Sequence, residues 1–272
     1  MKYFPVKQNF IYPEINEIEL HLGGAGQGDI IRPNGDWRDY VPPGEEQRRH
    51  GVESSACFVE AQQHTIATLQ EEKYGIKDSN FSARYTLIHS DASPNGGSPL
   101  KAAVAIKEYG LIPDSMLPFS DDIKSWEEFN SFKGGNENLC DVAGSLWRKR
   151  WKTYPDVVVT KNMTIETKYA RMREALKSSP VAVSVFGWLQ DNQGEYIKPK
   201  DENDNHLVEL LYIDEQNCPY ILDTYYPYLK RLGKFYDFDF GMKWTIEQLS
   251  VTGKLGFWEQ ILNLIKGLWK NS

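Results

Sequence analysis

The hydrophobic period changes along this chain, and that change restricts its architecture more than any single motif. Up to about residue 177 the strong segments are helical. One runs from the first turn at 56–61 to about Lys73, behind Ser54 and Ser55, which offer N-caps. A second has both punctuation marks of a helix: Ser98 as cap, Pro99 as first helical residue and Gly110 after the last turn. A third spans about 164–177, with Ile165, Tyr169, Met172 and Leu176 on one face. The pattern then becomes strand-like at 181–186, 207–213 and 220–222. Tyr236, Phe238 and Phe240 alternate with Asp237 and Asp239, as in a half-buried strand. Helices early and strands late predict an α+β fold of two lobes, not alternating βαβ units.

Composition excludes several function classes. The 8 Trp, 15 Tyr and 12 Phe supply enough apolar area to exclude general disorder. A net charge of −7 with no long basic run argues against nucleic acid as a partner. No stretch approaches 18 apolar residues, so no membrane span is expected. Three cysteines, Cys57, Cys140 and Cys218, exclude a disulfide-rich scaffold. The first residues lack the apolar run of a signal peptide, so the expectation is a reducing cytoplasm, with thiols rather than disulfides. The glycosylation triplets at Asn80 and Asn162 then read as chance. The glycines at 23–28 fit neither a dinucleotide nor a phosphate loop and read as a connector. His21, His50, His64 and His89 show no metal-ligand spacing, and neither a metal nor another cofactor is expected. The acidic run 201–205 lacks the glycine of a calcium loop and reads as solvated. Residues 147–152 read as an exposed turn with buried indoles.

The chemistry centres on Cys57. A cysteine in the first turn of a helix feels the positive end of the helix dipole, which favours the thiolate. It still needs a base and a group to orient that base. His206 opens one strand-like run and Asp223 closes the next, so adjacent antiparallel strands would bring them together.

The neighbouring residues resemble the papain-like cysteine peptidases. Asp36-Trp37-Arg38 is similar to the Asp-Trp-Arg at the start of that family's mature domain. Ser54-Ser55-Ala56-Cys57-Phe58 stands where the family has Cys-Gly-Ser-Cys-Trp. Asn95-Gly96-Gly97 resembles its Asn-Gly-Gly, and 179–183 its Pro-Val strand. Asn205-His206-Leu207-Val208 fits its Asp-His-Ala-Val, and 221–225 the strand that ends in Asn-Ser-Trp. His206 follows Cys57 by 149 residues and Asp223 follows His206 by 17, in keeping with the family's ~130–150 for the first interval.

The resemblance implies roles and exposes departures. Cys57 would be the nucleophile, His206 the base and Asp223 its orienter, with Asp in place of Asn. Gln47 would be the side-chain oxyanion donor, ten residues before Cys57 instead of six. Gly96 and Gly97 would present backbone to an extended peptide. Ser54 replaces a disulfide cysteine, and Tyr225 replaces the Trp that shields the His–Asn bond. No pro-segment of the family's usual length fits into residues 1–35. Such abbreviated forms resemble those of bacteriophage and prokaryotic genomes, which would place the chain in a host cytoplasm or a virion.

The expected organisation is an N-terminal arm (1–35), a papain-like catalytic domain (36–245) and a C-terminal amphipathic helix (246–272). In the last, Phe257, Trp258, Ile261, Leu262, Ile265, Leu268 and Trp269 share a face. That stripe would pack on its own domain, dock a protein partner or touch a membrane surface. The expected function is thiol-dependent hydrolysis of peptide or amide bonds, with a peptide or protein as substrate. The alternatives are an amidase or transpeptidase with the same triad, and a non-catalytic structural or virion component that keeps the scaffold.

Overall fold

The computed structural model describes residues 2–3, 28–44, 46–77 and 79–249. The C-terminal helix expected at 246–272 lies almost wholly outside them, as does the glycine connector up to residue 27. In chain order the elements begin with β1 (Lys2–Tyr3) and a hairpin of β2 (Arg48–Arg49) and β3 (Val52–Glu53). Five helices follow: α1 (Cys57–Tyr74), α2 (Ala83–Ile88), α3 (Pro99–Tyr109), α4 (Trp126–Phe129) and α5 (Glu137–Arg150). Then come β4 (Trp151–Thr160), α6 (Ile165–Leu176), β5 (Val181–Val185), β6 (Leu189–Gln190) and β7 (Tyr196–Ile197). The last four are β8 (His206–Ile213), β9 (Pro219–Leu222), β10 (Leu229–Arg231) and β11 (Phe240–Gln248).

The architecture is α+β. Strands β10-β9-β8-β5-β11-β4 form one antiparallel sheet. Strand β5 is buried along its whole length, as its Val-Ala-Val-Ser-Val sequence suits. Helix α1 packs across β8, β5 and β11 and so joins the helical lobe to the sheet. Trp37 locks the segment ahead of the β2–β3 hairpin onto this core: it is fully buried, and its Nε1 donates to the Leu176 carbonyl at 2.6 Å. Arg38 pairs with Asp36 and lies over the rings of Tyr212 and Tyr220. Among the described residues no helix is long and apolar enough to cross a membrane.

Several sequence expectations need correction. The residue before α1 is Ala56, and neither Ser54 nor Ser55 caps the helix with its side chain. Ser54 Oγ instead accepts from the Ala56 N–H, and Ser55 Oγ donates to the Pro94 carbonyl. Residues 147–152 are no turn: α5 runs straight into β4, although both indoles are indeed buried. The segment 236–240 is no strand, because β11 begins only at Phe240, and burial does not alternate along it, since Asp239 is buried beside Tyr236, Phe238 and Phe240. That strand continues to Gln248, past the boundary read at 245. The acidic run 201–205 is only partly solvated. Asp204 is buried, accepts from Ser184 Oγ at 2.6 Å and pairs with Lys198 at 3.0 Å.

Glu209 on β8 is fully buried against α1, where one oxygen accepts from Thr68 Oγ1 at 2.9 Å and the other has no partner among the described residues. Burial pushes its carboxyl up from the usual 4.5 to about 8. The folded state therefore holds a proton that the unfolded chain releases, and stability falls as pH rises from about 4.5 through 8. At about 1.4 kcal/mol per pKa unit, Glu209→Gln is expected to gain a few kcal/mol on the parent between pH 5 and pH 9. Urea midpoints at the two pH values check this; a parallel pH dependence of the two proteins would refute it.

Candidate active site

Cys57 is the first residue of α1, so its backbone N–H faces out of the helix end. Its thiol is fully buried, and the backbone N–H of Leu207 hydrogen-bonds to it. That contact sets the sulfur one residue from His206. Burial pushes the thiol well up, outweighing the Leu207 contact, while Glu60, Glu53 and Asp223 push it further up. Burial thus works against the pull of the helix dipole on this thiol. No disulfide joins the three cysteines, and all are buried.

His206 opens β8 opposite Val185, and Asp223 follows the last residue of β9. The antiparallel β8–β9 pairing brings them together: His206 Nε2 and Asp223 Oδ1 are 2.6 Å apart, both residues with zero exposure. The opposite ring nitrogen, Nδ1, is buried and has no partner among the described residues. Asp223 Oδ1 also accepts from the Thr224 N–H at 2.7 Å. Burial pushes the Asp223 carboxyl up, but His206 and Lys230 outweigh it and hold it below the usual carboxylate range. The rings of Trp188 and Tyr225 flank the imidazole at 5.9 and 5.4 Å between centroids.

Gln47 is fully buried at the same end of α1. Its Nε2 donates to Glu53 Oε1 at 2.6 Å, and its Oε1 accepts from Thr224 Oγ1 at 3.0 Å. Its backbone N–H also reaches the Thr224 carbonyl, so the β2–β3 hairpin that lengthens the loop is pinned to the turn after Asp223. Glu53 further accepts from the Tyr225 hydroxyl at 2.9 Å and the Ser55 N–H at 3.3 Å. Ser55 sits at φ 56°, a left-handed position that favours glycine, which is what the resembling motif carries there.

Gly96 turns the chain at φ 96° in a tight bridge between Ser93 and Gly96. Gly97 faces Phe58: a Cβ there would meet the ring at 2.5 Å. Close packing beside Cys57 is thus one reason for glycine at 97. The described residues hold no cluster of metal-ligating side chains. A cavity of about 670 Å³ opens beside the β lobe, lined by Lys198, Lys200 and Tyr236 among others, and Cys57, His206, Asp223, Gln47, Gly96 and Gly97 do not line it.

Sequence reasoning missed Glu53, Thr224, Trp188 and Lys230. Glu53 and Trp188 carry no local signal. Lys230 lies on β10, where an exposed lysine would be ordinary, yet its side chain is only 2% exposed.

No protein-family model matches the chain, and no curated protein sequence matches it. Solved structures do match. The chain is similar to xylellain, a cysteine protease from Xylella fastidiosa, at TM-score 0.56 and 13% identity, over 91% of this chain and 96% of that one. It is similar to bromelain from Ananas comosus in complex with the E64 inhibitor, at TM-score 0.52 and 17% identity, over 82% of this chain and all of the other. The recombinant stem bromelain precursor matches at TM-score 0.52 and 16% identity, over 89% and 75%. Two lobes of this make, with these matches across most of the chain, give it the fold of the papain-like cysteine peptidases.

Proposed function

We propose that the chain hydrolyses peptide or amide bonds through an acyl-thioester on Cys57. The observation that carries this reading is the imidazole of His206. One of its nitrogens is tied to Asp223 at 2.6 Å, the other has no partner among the described residues, and the next backbone N–H touches the Cys57 sulfur. A base oriented on one side and open on the other beside a thiol is the arrangement that thiol acyl transfer requires.

In this mechanism His206 Nδ1 takes the thiol proton, and the sulfur attacks the substrate carbonyl carbon. The C–N bond then breaks, the amine leaves with the proton from Nδ1, and the acyl group stays on sulfur. Water attacks the thioester and gives its proton to His206; the C–S bond breaks and the acid departs. The Cys57 backbone N–H and Gln47 Nε2 are the donors to the oxyanion. One amide hydrogen of Gln47 is held by Glu53, which leaves the second for this role. Asp223 keeps the imidazole in the tautomer with Nε2 protonated. Burial pushes the thiol up, and proton transfer to His206 supplies the reactive form as a thiolate–imidazolium pair. Gly96 and Gly97 are proposed to flank an extended substrate, with Gly97 also fixed by Phe58.

An epoxide reagent for thiol proteases tests the assignment. One equivalent is expected to alkylate Cys57, located by peptide mass mapping, and to spare Cys140 and Cys218. Equal modification of the three cysteines, or none at Cys57, contradicts it.

A further inference from the structure

We propose that Lys230 is a positioning residue that cancels the charge of Asp223 and fixes the turn above it, so that Asp223 serves His206 as a neutral acceptor would. The inference rests on the thiol-hydrolase reading and adds a residue that the triad chemistry by itself does not demand.

The geometry is complete on every side of the ammonium. Lys230 Nζ donates to Asp223 Oδ2 at 2.5 Å, to the Tyr225 carbonyl at 2.6 Å and to the Pro227 carbonyl at 2.6 Å. Those three acceptors use all three of its N–H groups. The Trp188 and Tyr196 rings lie 5.0 and 5.9 Å from Nζ and exclude water. Register places the lysine there: β10 pairs with β9 so that Lys230 stands opposite Ile221, two residues before Asp223. The division of labour on the carboxylate is clean. Oδ1 serves His206 and the Thr224 N–H, while Oδ2 serves Lys230.

Two consequences follow from elementary electrostatics. A bare carboxylate 2.6 Å from the imidazole would stabilise imidazolium strongly and slow return of the proton. With the ammonium on its other oxygen, the Asp223–Lys230 unit carries no net charge, like a neutral amide in that position. The same ammonium also holds the carbonyls of Tyr225 and Pro227, and so the turn that carries Tyr225 against the face of His206. The other titratable groups facing this pair are Glu46, Cys57, His64 and Tyr196, with Glu53 and the Tyr225 hydroxyl, bonded to each other, beside Cys57. None of their side chains hydrogen-bonds to Asp223 or Lys230 among the described contacts.

The test is the pH dependence of Cys57 alkylation by iodoacetamide, read by mass spectrometry, which needs no substrate. Four full-length proteins are compared: the parent, Asp223→Asn, Lys230→Met and the double variant. Deleting the cation is expected to move the inflection up by on the order of one pH unit, and deleting the anion to move it down. The double variant restores neutrality and is expected to return close to the parent. A folded Lys230→Met with an unmoved inflection overturns the inference, as does a double variant that titrates like Asp223→Asn. If one single variant does not fold, the other single variant against the double variant still decides; if neither single folds, recovery of folding in the double variant is the expected coupling, and no recovery overturns it. An inflection that responds to Asp223→Asn but never to Lys230 removes only this inference. One that responds to neither removes the triad as well.

Discussion

Arg84→Met is expected to destabilise the protein by at least about 4 kcal/mol, the largest loss of stability anticipated for a residue outside the site. Arg84 on α2 is 1% exposed and bonds to no carboxylate among the described residues. Its guanidinium instead serves five backbone carbonyls. Nε donates to Phe129, Nη1 to Pro118, and Nη2 to Glu128, Ser131 and Lys133, at 2.6–3.1 Å. The segment from 118 to 133 has little regular structure of its own beyond the single turn of α4, so this side chain is its organiser. Methionine would fill the volume and leave the carbonyls without donors, each at about 1–3 kcal/mol unless water reaches it. Arg84→Lys keeps the charge but lacks the planar fork, and is expected to fall between the two. Urea unfolding monitored by tryptophan fluorescence reads the order parent, Lys, Met. A loss below about 1 kcal/mol for Met would show that the segment holds itself.

What the sequence discloses here depends on whether a signal is local. Helix α3 begins and ends where Ser98, Pro99 and Gly110 place it, because a cap, a first-turn proline and a glycine at φ 82° act within a few residues. His206 and Asp223 are legible because each marks the edge of a strand-like run, and those strands are neighbours in the sheet. Strand β4 was not legible: Pro155 interrupts its pattern, which is tolerated only because β4 is the sheet edge. Helix α5 was hidden by Gly144, whose missing side chain admits the Tyr109 carbonyl at 2.2 Å from where a Cβ would sit. The buried thiol and the Lys230 contact are properties of tertiary packing, and no window of sequence contains them.

The lysine also changes what substitution at Asp223 should do. From the resemblance alone, Asn at 223 is a mild change, since it accepts the same hydrogen bond from the imidazole. In this structure it would strand a buried ammonium, and breaking a buried ion pair from one side costs about 3–5 kcal/mol. The mild replacement is therefore the double one, Asp223→Asn with Lys230→Met.

Cys57→Ala is expected to lower hydrolysis of an unfolded protein such as reduced casein by a factor on the order of 10⁴ or more, with the fold retained. The side chains differ by one sulfur atom, and the cavity left is small. What vanishes is the sulfur on which the proposed mechanism carries the acyl group. His206, Asp223 and Gln47 would remain in place, so residual activity would be that of a positioned water at best. Cys140→Ala and Cys218→Ala, in contrast, are expected to hydrolyse casein at the parent rate. The decisive measurement is casein hydrolysis by the parent and these three variants at equal concentration, each shown folded by circular dichroism. Loss in Cys57→Ala alone is the result this account requires; hydrolysis by Cys57→Ala at the parent rate, or none by the parent, would contradict it.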